Sequence, residues 1–366
     1  MGYDLKAICG AFQVEGEFVD GAPYGSGHIN DTYAVTLSQT TGSVRYILQR
    51  INHNVFRQPK ALMENIDRVT KHLRQTLESA GASDIDRRTL TLMAANDGRP
   101  FYVDGDGNTW RLYIFIEQAL TYDVLESTDQ AYEAAKAFGN FMKQLASLPG
   151  EPLVETIPGF HDTRGRFDAL QRAIEADVCN RAALVKTEID FARARESIVD
   201  TLITLQQRGD IPLVTVHNDT KLNNVMLDVA TGEGLCVIDL DTVMPGLSLY
   251  DFGDMVRTAS RPCPEDEVDL SKVVARQDMF EAVARGYLTS AGSVLNAVER
   301  DHLAFSAQLI TFEIGLRFLT DYLEGDVYFK THRDGQNLDR CRVQFTMTES
   351  LESQMDAMNT FIQQCD

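Results

Sequence analysis

His217-Asn-Asp-Thr-Lys-Leu-Asn-Asn224, then Val225-Met-Leu227, then Leu235-Cys-Val-Ile-Asp-Leu-Asp241, is the stretch on which the fold turns. Leu213-Val-Thr-Val216 ahead of it reads as a strand and the His217–Asn224 octet as a polar loop. Val225–Leu227 and Leu235–Ile238 read as two short strands joined by the turn Asp228-Val-Ala-Thr-Gly-Glu-Gly234. Pairing those strands brings their open ends together, which predicts Asn224 beside Asp239. Asp219 lies five residues before Asn224 in the same loop. An amide oxygen and a carboxylate with room for water and phosphate oxygens suit Mg²⁺, a hard ion that rarely has an all-protein cage. Asp219 is then free to act as a base. Asp and Asn also favour turns for local hydrogen-bonding reasons alone. The strand before the loop, the hairpin after it and the trailing Ile-Asp-Leu-Asp favour chemistry.

The spacing His217-x-Asp219-x-x-x-x-Asn224, with Asp239 fifteen residues on, mirrors the protein-kinase catalytic loop and its metal aspartate. Asp251-Phe-Gly253 spells the motif that carries the metal aspartate in protein kinases, but it stands 27 residues past Asn224. We read Asp251 as structural, tying the catalytic loop in place by hydrogen bonds. Tyr24-Gly-Ser-Gly-His-Ile-Asn-Asp-Thr-Tyr33 is a glycine turn running into a strand, and glycines let backbone N–H groups approach phosphate oxygens. An ordinary hairpin turn reads the same way. No GxxxxGK[ST] occurs, which excludes a P-loop fold. Trp110 to Glu117 runs into Gln118-Ala119-Leu120, either a hinge whose backbone at Glu117 and Ala119 pairs with adenine or a plain core strand.

Working outward, residues 1–117 carry short β-patterned runs: Thr32–Leu37, Val44–Gln49, Thr89–Met93 and Trp110–Ile116. One helical pattern interrupts them, Pro59 to Ser79, with apolar residues at helical spacing. Residues 118–366 read as mostly helical: Ala131–Leu148, Arg166–Ala176, Phe191–Arg208, Arg276–Ala291, Arg300–Tyr322 and Gln344–Gln364. The expected class is α+β: a small antiparallel-sheet lobe binding nucleotide, then a larger helical lobe for catalysis and substrate, with a cleft as the default ligand site.

The 366 residues are long enough for two packed lobes, and 44% hydrophobic with 24% charged residues is ordinary for a folded globular protein. Lys plus Arg number 34 against 54 Asp plus Glu, a net charge of −20. That field repels phosphate backbones and anionic bilayers, arguing against nucleic-acid and membrane partners. The six cysteines show no CxxC spacing, so neither a zinc site nor a disulfide framework is expected. With no basic region followed by an apolar core at the N-terminus and no membrane-length apolar run, the chain reads as cytoplasmic; it is expected to be a monomer.

The Gly27-x-x-Asn30-x-x-Tyr33 turn, the His217–Asn224 loop and the Ile238-Asp-x-Asp241 strand end resemble the aminoglycoside phosphotransferase and choline kinase family, whose fold is protein-kinase-like. Pro23–Asn30, Tyr46-Ile-Leu-Gln49, Ile238–Thr242 and Arg317-Phe-Leu-Thr-Asp-Tyr-Leu-Glu-Gly-Asp326 look more closely like the bacterial N-acetylhexosamine 1-kinases, over nearly the whole chain. The resemblance implies ATP- and Mg²⁺-dependent phosphorylation of the anomeric hydroxyl of GlcNAc or GalNAc. It implies Asp219 as base, Asn224 and Asp239 as metal ligands, and Gly25, Ser26 and Gly27 over the phosphates. Gln49 stands where most relatives carry a phosphate-pairing lysine, a neutral donor in place of a charged one, and Glu64 reads as a solvated helix charge. Asp241, two residues past Asp239, shares its cleft-facing side if the stretch is extended and can accept sugar hydroxyls. Arg317, in a mostly apolar helix, either donates to the sugar or pairs with Glu313 or Asp321. His28 and Tyr322 are the remaining sugar-contact candidates.

Two other readings stay open. One keeps the fold and changes the acceptor to an aminoglycoside, choline or another small alcohol. The other is a non-catalytic nucleotide-binding regulator, which has no need for Asp219, Asn224 and Asp239 together.

Overall fold

The computed structural model describes residues 2–25, 27, 29–122, 124 and 126–365. Two compact units share the chain: Met1–Leu120 with Gln144–Pro158 and Val225–Pro245, and Thr121–Lys143 with Gly159–Asn224 and Gly246–Asp366.

In the first unit, β1 (Glu17–Pro23), β2 (Asp31–Gln39), β3 (Gly42–Arg50), β4 (Tyr102–Val103) and β5 (Thr109–Ile114) form an antiparallel sheet ordered β1-β2-β3-β5-β4. The β2–β3 hairpin closes with Gln39 opposite Gly42, whose φ of +132° a side chain would resist. Val35, Leu37, Tyr46, Leu48, Trp110 and Leu112 bury one cluster with Ile8 and Phe12, each such side chain worth about 1.5–3 kcal/mol when fully buried. The helix Pro59–Ser79 falls where its period predicts and buries Leu62, Ile66, Val69 and Leu73. Proline at its first turn lacks the N–H that would there go unpaired. Glu64 is exposed, as expected of a solvated charge.

The expected hairpin is present: Val225–Asp228 pairs antiparallel with Gly234–Val237, Val225 opposite Val237. Its outer edge pairs with β6 (Ala119–Leu120), where Ala119 faces Asp228. The expected strand over Thr89–Met93 is reduced to an isolated bridge between Leu92 and Tyr113. The pattern missed β1, interrupted by Gly21 and bulged between Phe18 and Asp20.

The second unit is helical around Leu303–Glu324, a helix buried on most of its circumference. It is the one described helix long and apolar enough to cross a membrane by length and composition, and 78% of that window is buried inside the unit. Ser248–Ala259 packs against it through Gly253, where a Cβ would lie 2.5 Å from the Ser306 carbonyl oxygen. The expected helix Phe191–Arg208 breaks into Lys186–Ala194, a 3-10 turn at Glu196–Ile198 and Thr201–Arg208. The break falls at Arg195, whose Nε donates to Glu352 at 2.7 Å. The last helix begins at Gln336, eight residues before the expected Gln344, because its polar first turn is tied down: Asn337 donates to Asp321 at 2.8 Å and to Asp326 at 2.9 Å.

Candidate active site

In the second unit, the strand Val214–Val216 delivers the chain to His217, and the loop that follows is fixed from two sides. Asp251 accepts the backbone N–H of His217 at 2.9 Å and of Asn218 at 2.7 Å, and its carbonyl accepts the Thr220 hydroxyl. This is the structural role expected of the Asp-Phe-Gly aspartate. From the other side, His161 bridges the Asn218 carbonyl and Glu313, 2.9 Å to each, and Thr163 donates to the second Glu313 oxygen. Asn218 sits at φ +64°, a left-handed turn that Asn tolerates better than most residues. His217 is buried edge-on to Phe138 and Phe141, and its Nδ1 accepts the Asp219 N–H at 3.3 Å. That contact ties it to the loop backbone.

Asp219 is the loop carboxylate that reaches solvent, its side chain 21% exposed. Asn224 turns its amide nitrogen toward it, 2.9 Å from the backbone oxygen and 3.4 Å from Oδ2. Lys221 approaches the carboxylate at 2.9 Å. Burial pushes the Asp219 carboxyl up, but the Lys221 ammonium, with smaller help from His217 and Arg257, overrides it and holds the group below the usual carboxylate range. It is therefore ionised at neutral pH. Sequence reasoning passed over Lys221, whose signal was its place two residues after Asp219.

In the first unit, Thr32, Gln49 and Arg111 stand opposite one another on β2, β3 and β5. Gln49 donates to the Thr32 hydroxyl and accepts from Arg111 Nε, 2.9 Å each, so both ends of its amide are engaged. Arg111 is 1% exposed and pairs with Asp241 Oδ1. Asn30, at the end of the glycine turn, donates to Asp241 Oδ2 at 2.6 Å and accepts the Asn52 N–H at 3.0 Å. The expectation of an extended strand end fails here. Asp239 adopts φ +57° and Leu240–Thr242 forms a 3-10 turn, so the two-residue alternation that would put Asp239 and Asp241 on one face does not apply. Asp241 is 2% exposed, and each of its carboxylate oxygens already accepts from a protein donor, Arg111 on one and Asn30 on the other. Burial works against the Arg111 charge, but Asp241 first, with Tyr113 and then Asp239, reverses that and raises its pKa. No short-range pattern in the sequence pointed to Arg111.

Gly25 has φ +81° and Gly27 has nothing within 4 Å of where a Cβ would stand; Ser26 and His28 lie outside the described residues. The Glu117 carboxylate pairs with Arg45, and its carbonyl accepts from Arg87 at 3.2 Å. Ala119 is buried in the β6 pairing.

Arg317 pairs with neither helical neighbour: Glu313 is taken by His161, and Asp321 accepts the N–H groups of Val327, Tyr328 and Phe329. Its guanidinium lies 5.5–5.8 Å from the rings of Phe160, Tyr328 and Phe329. Tyr322 is buried, with Arg181 over its ring at 4.5 Å.

For a divalent ion the donor chemistry fits. Asn224 commits its nitrogen to Asp219, leaving the oxygen as the end suited to a hard cation, and Asp239 offers a carboxylate. Among the described residues no cluster of three or more His, Cys, Asp or Glu could hold a metal ion.

The fold is similar to that of a microcompartment-associated aminopropanol kinase, at 16% identity over 97% of this chain and 98% of that one, TM-score 0.57. It is similar also to a choline kinase from Cryptosporidium parvum, at 13% identity over 98% of each chain, TM-score 0.56. A spectinomycin phosphotransferase in complex with ADP and spectinomycin matches at 12% identity over 92% and 94%, TM-score 0.57. At such identities the likeness carries the fold, a protein-kinase-like α+β arrangement of antiparallel sheet and helices. The family rests on the sequence itself: residues 20–283 match the phosphotransferase enzyme family, and the chain belongs to it.

Proposed function

We propose that the protein is an ATP-dependent kinase of the anomeric hydroxyl of an N-acetylhexosamine, GlcNAc or GalNAc, yielding the sugar 1-phosphate. The observation that carries the phosphotransfer is the Asp219–Asn224 contact in a loop clamped by Asp251 and His161. Chain connectivity adds Asp239: Asn224 is bonded to Val225, Val225 pairs with Val237, and Asp239 follows two residues later.

Asp219, ionised and solvent-reaching, accepts the proton of the acceptor hydroxyl as its oxygen bonds to the γ-phosphorus and ADP departs. An anomeric hydroxyl is more acidic than an ordinary alcohol, so the base is needed late. Such help is typically worth ~10²–10⁴-fold, the rest coming from positioning and electrostatics. Asn224 and Asp239 would hold Mg²⁺, which when bound neutralises phosphate charge. Lys221 keeps Asp219 deprotonated and adds positive charge to the loop. Gly25 to Gly27, within the nucleotide lobe 1–117, offer backbone donors to phosphates, and the Glu117–Ala119 segment is the adenine edge.

The acceptor follows from Arg317 and the resemblance of its segment. The Phe160, Tyr328 and Phe329 rings already have the protein's own cation, Arg317, 5.5–5.8 Å away, which disfavours a cationic acceptor such as an aminoglycoside or choline. A neutral sugar with hydroxyl and acetamido acceptors suits it. The test is Mg-ATP with a panel of free sugars, reading ADP release. GlcNAc or GalNAc should turn over and a 1-O-methyl glycoside should not. Equal reaction of the methyl glycoside would refute the anomeric assignment, and turnover of choline or an aminoglycoside alone would refute the sugar.

A further inference from the structure

We propose that Arg111, held by Asp241, is the positioning residue that replaces the strand lysine and helix glutamate of protein kinases, joining the end of the glycine turn to the strand end that carries Asp239. The usual pair cannot form: β3 presents Gln49, and Glu64 on the following helix is exposed. One strand over, in register with Gln49, stands a buried arginine. Unlike a lysine, its planar fork makes two directed contacts at once, Nε to Gln49 and an Nη to Asp241. Asp241 spends its second oxygen on Asn30, three residues past Gly27, and Asn30 is fixed in turn by the Asn52 N–H just beyond β3. The row Thr32–Gln49–Arg111–Asp241–Asn30 thus runs across three strands and returns to the turn. Asp241, within the row, lies two residues from Asp239, in a 3-10 turn whose left-handed capping residue, Asp239, needs an anchor. On this assignment Gln49 is a spacer within the row, and Asp241 is an anchor and not a sugar ligand.

A buried ion pair that only filled the core would weaken everything together when broken. A positioning pair weakens nucleotide binding selectively. The inference rests on the kinase reading only as far as the first unit holds a nucleotide; it does not depend on the acceptor.

The experiment is equilibrium binding of a fluorescent methylanthraniloyl derivative of ADP with Mg²⁺, and calorimetry of free GlcNAc and GalNAc. Each is done on the whole chain and on Arg111→Gln, Asp241→Asn, Gln49→Ala and the swap Arg111→Gln/Gln49→Lys, with melting temperatures alongside. Arg111→Gln is expected to weaken nucleotide binding by about 10-fold or more while sugar affinity stays within about 2-fold. The swap, which returns a cation to β3 opposite position 111, should recover nucleotide affinity to within about 3-fold of wild type, and Gln49→Ala should cost no more than that. Should Arg111→Gln fail to fold, Asp241→Asn, nearly isosteric, is expected to show the same nucleotide-selective loss. Wild-type nucleotide affinity in Arg111→Gln, or in Asp241→Asn where the former does not fold, overturns the assignment. So does a parallel fall in both affinities without rescue by the swap. A wild-type protein that binds nucleotide but phosphorylates no hexosamine leaves the assignment standing and removes only the acceptor. A wild type that binds no Mg-nucleotide removes both.

Discussion

Asp219 and Asp251 serve one loop, and their surroundings move their proton affinities in opposite directions. Lys221 holds Asp219 low despite its burial. Asp219→Asn should cut turnover by ~10²–10⁴-fold while nucleotide affinity is kept, measured by ADP release and by fluorescence binding; an active variant would dismiss Asp219 as the base. Asp251 is pushed up to about 6, chiefly by burial, partly offset by His217 and by the two backbone N–H groups it accepts. Because its folded pKa is raised, its contribution to stability is fully present below the ordinary carboxylate range and is lost as pH rises through about 6. Catalysis runs the other way. Protonation gives Asp251 a donor where it needs an acceptor, loosening His217 and Asn218. Turnover number should fall as pH drops below about 6 without a loss of melting temperature from this group, as a pH profile of both quantities would show. His161 and Glu313 reinforce the same loop: burial disfavours the imidazolium, but the Glu313 carboxylate overrides it and raises the His161 pKa.

At the scale of elements, close helix approach is the device that sets the second unit. Gly253 has no room for a side chain, since the obstruction is the Ser306 carbonyl oxygen and not a movable group. Gly253→Ala should lower unfolding free energy by about 1–3 kcal/mol, read from chemical denaturation. Gly105→Ala is the control, since a Cβ there would meet nothing within 4 Å. Ser248–Ala259 also carries Asp251, so the same substitution should reduce turnover more than it reduces nucleotide affinity. A Gly253→Ala protein as stable as its parent would mean that the two helices are not held at this distance by packing.

For the whole molecule, ligand linkage gives the simplest check. Nucleotide bound only by the folded chain adds about 2.7 kcal/mol at 100 times its dissociation constant. Mg-ATP should therefore raise the melting temperature, and chelation of the metal should remove most of the rise. A shift that survives chelation would count against Asn224 and Asp239 as ligands of a nucleotide-bound ion. The net charge of −20 makes that ion the more needed, since the global field opposes an anionic cosubstrate.

What the sequence by itself determined is what short-range physics encodes. The 3.6-residue period placed Pro59–Ser79 at its observed ends, alternation and turn residues gave β2, β3, β5 and the Val225–Val237 hairpin, and loop spacing picked out Asp219 and Asn224. The break in Phe191–Arg208, the early start of the last helix and the 3-10 turn after Asp239 are set by partners distant along the chain: Glu352, Asp321 with Asp326, and Arg111 with Asn30. Arg111 shows why. Its carboxylate partner is 130 residues away and its glutamine is on another strand. Nothing local marks such a residue, because the desolvation that makes it pair arises only when the sheet and the Leu240–Thr242 turn are assembled.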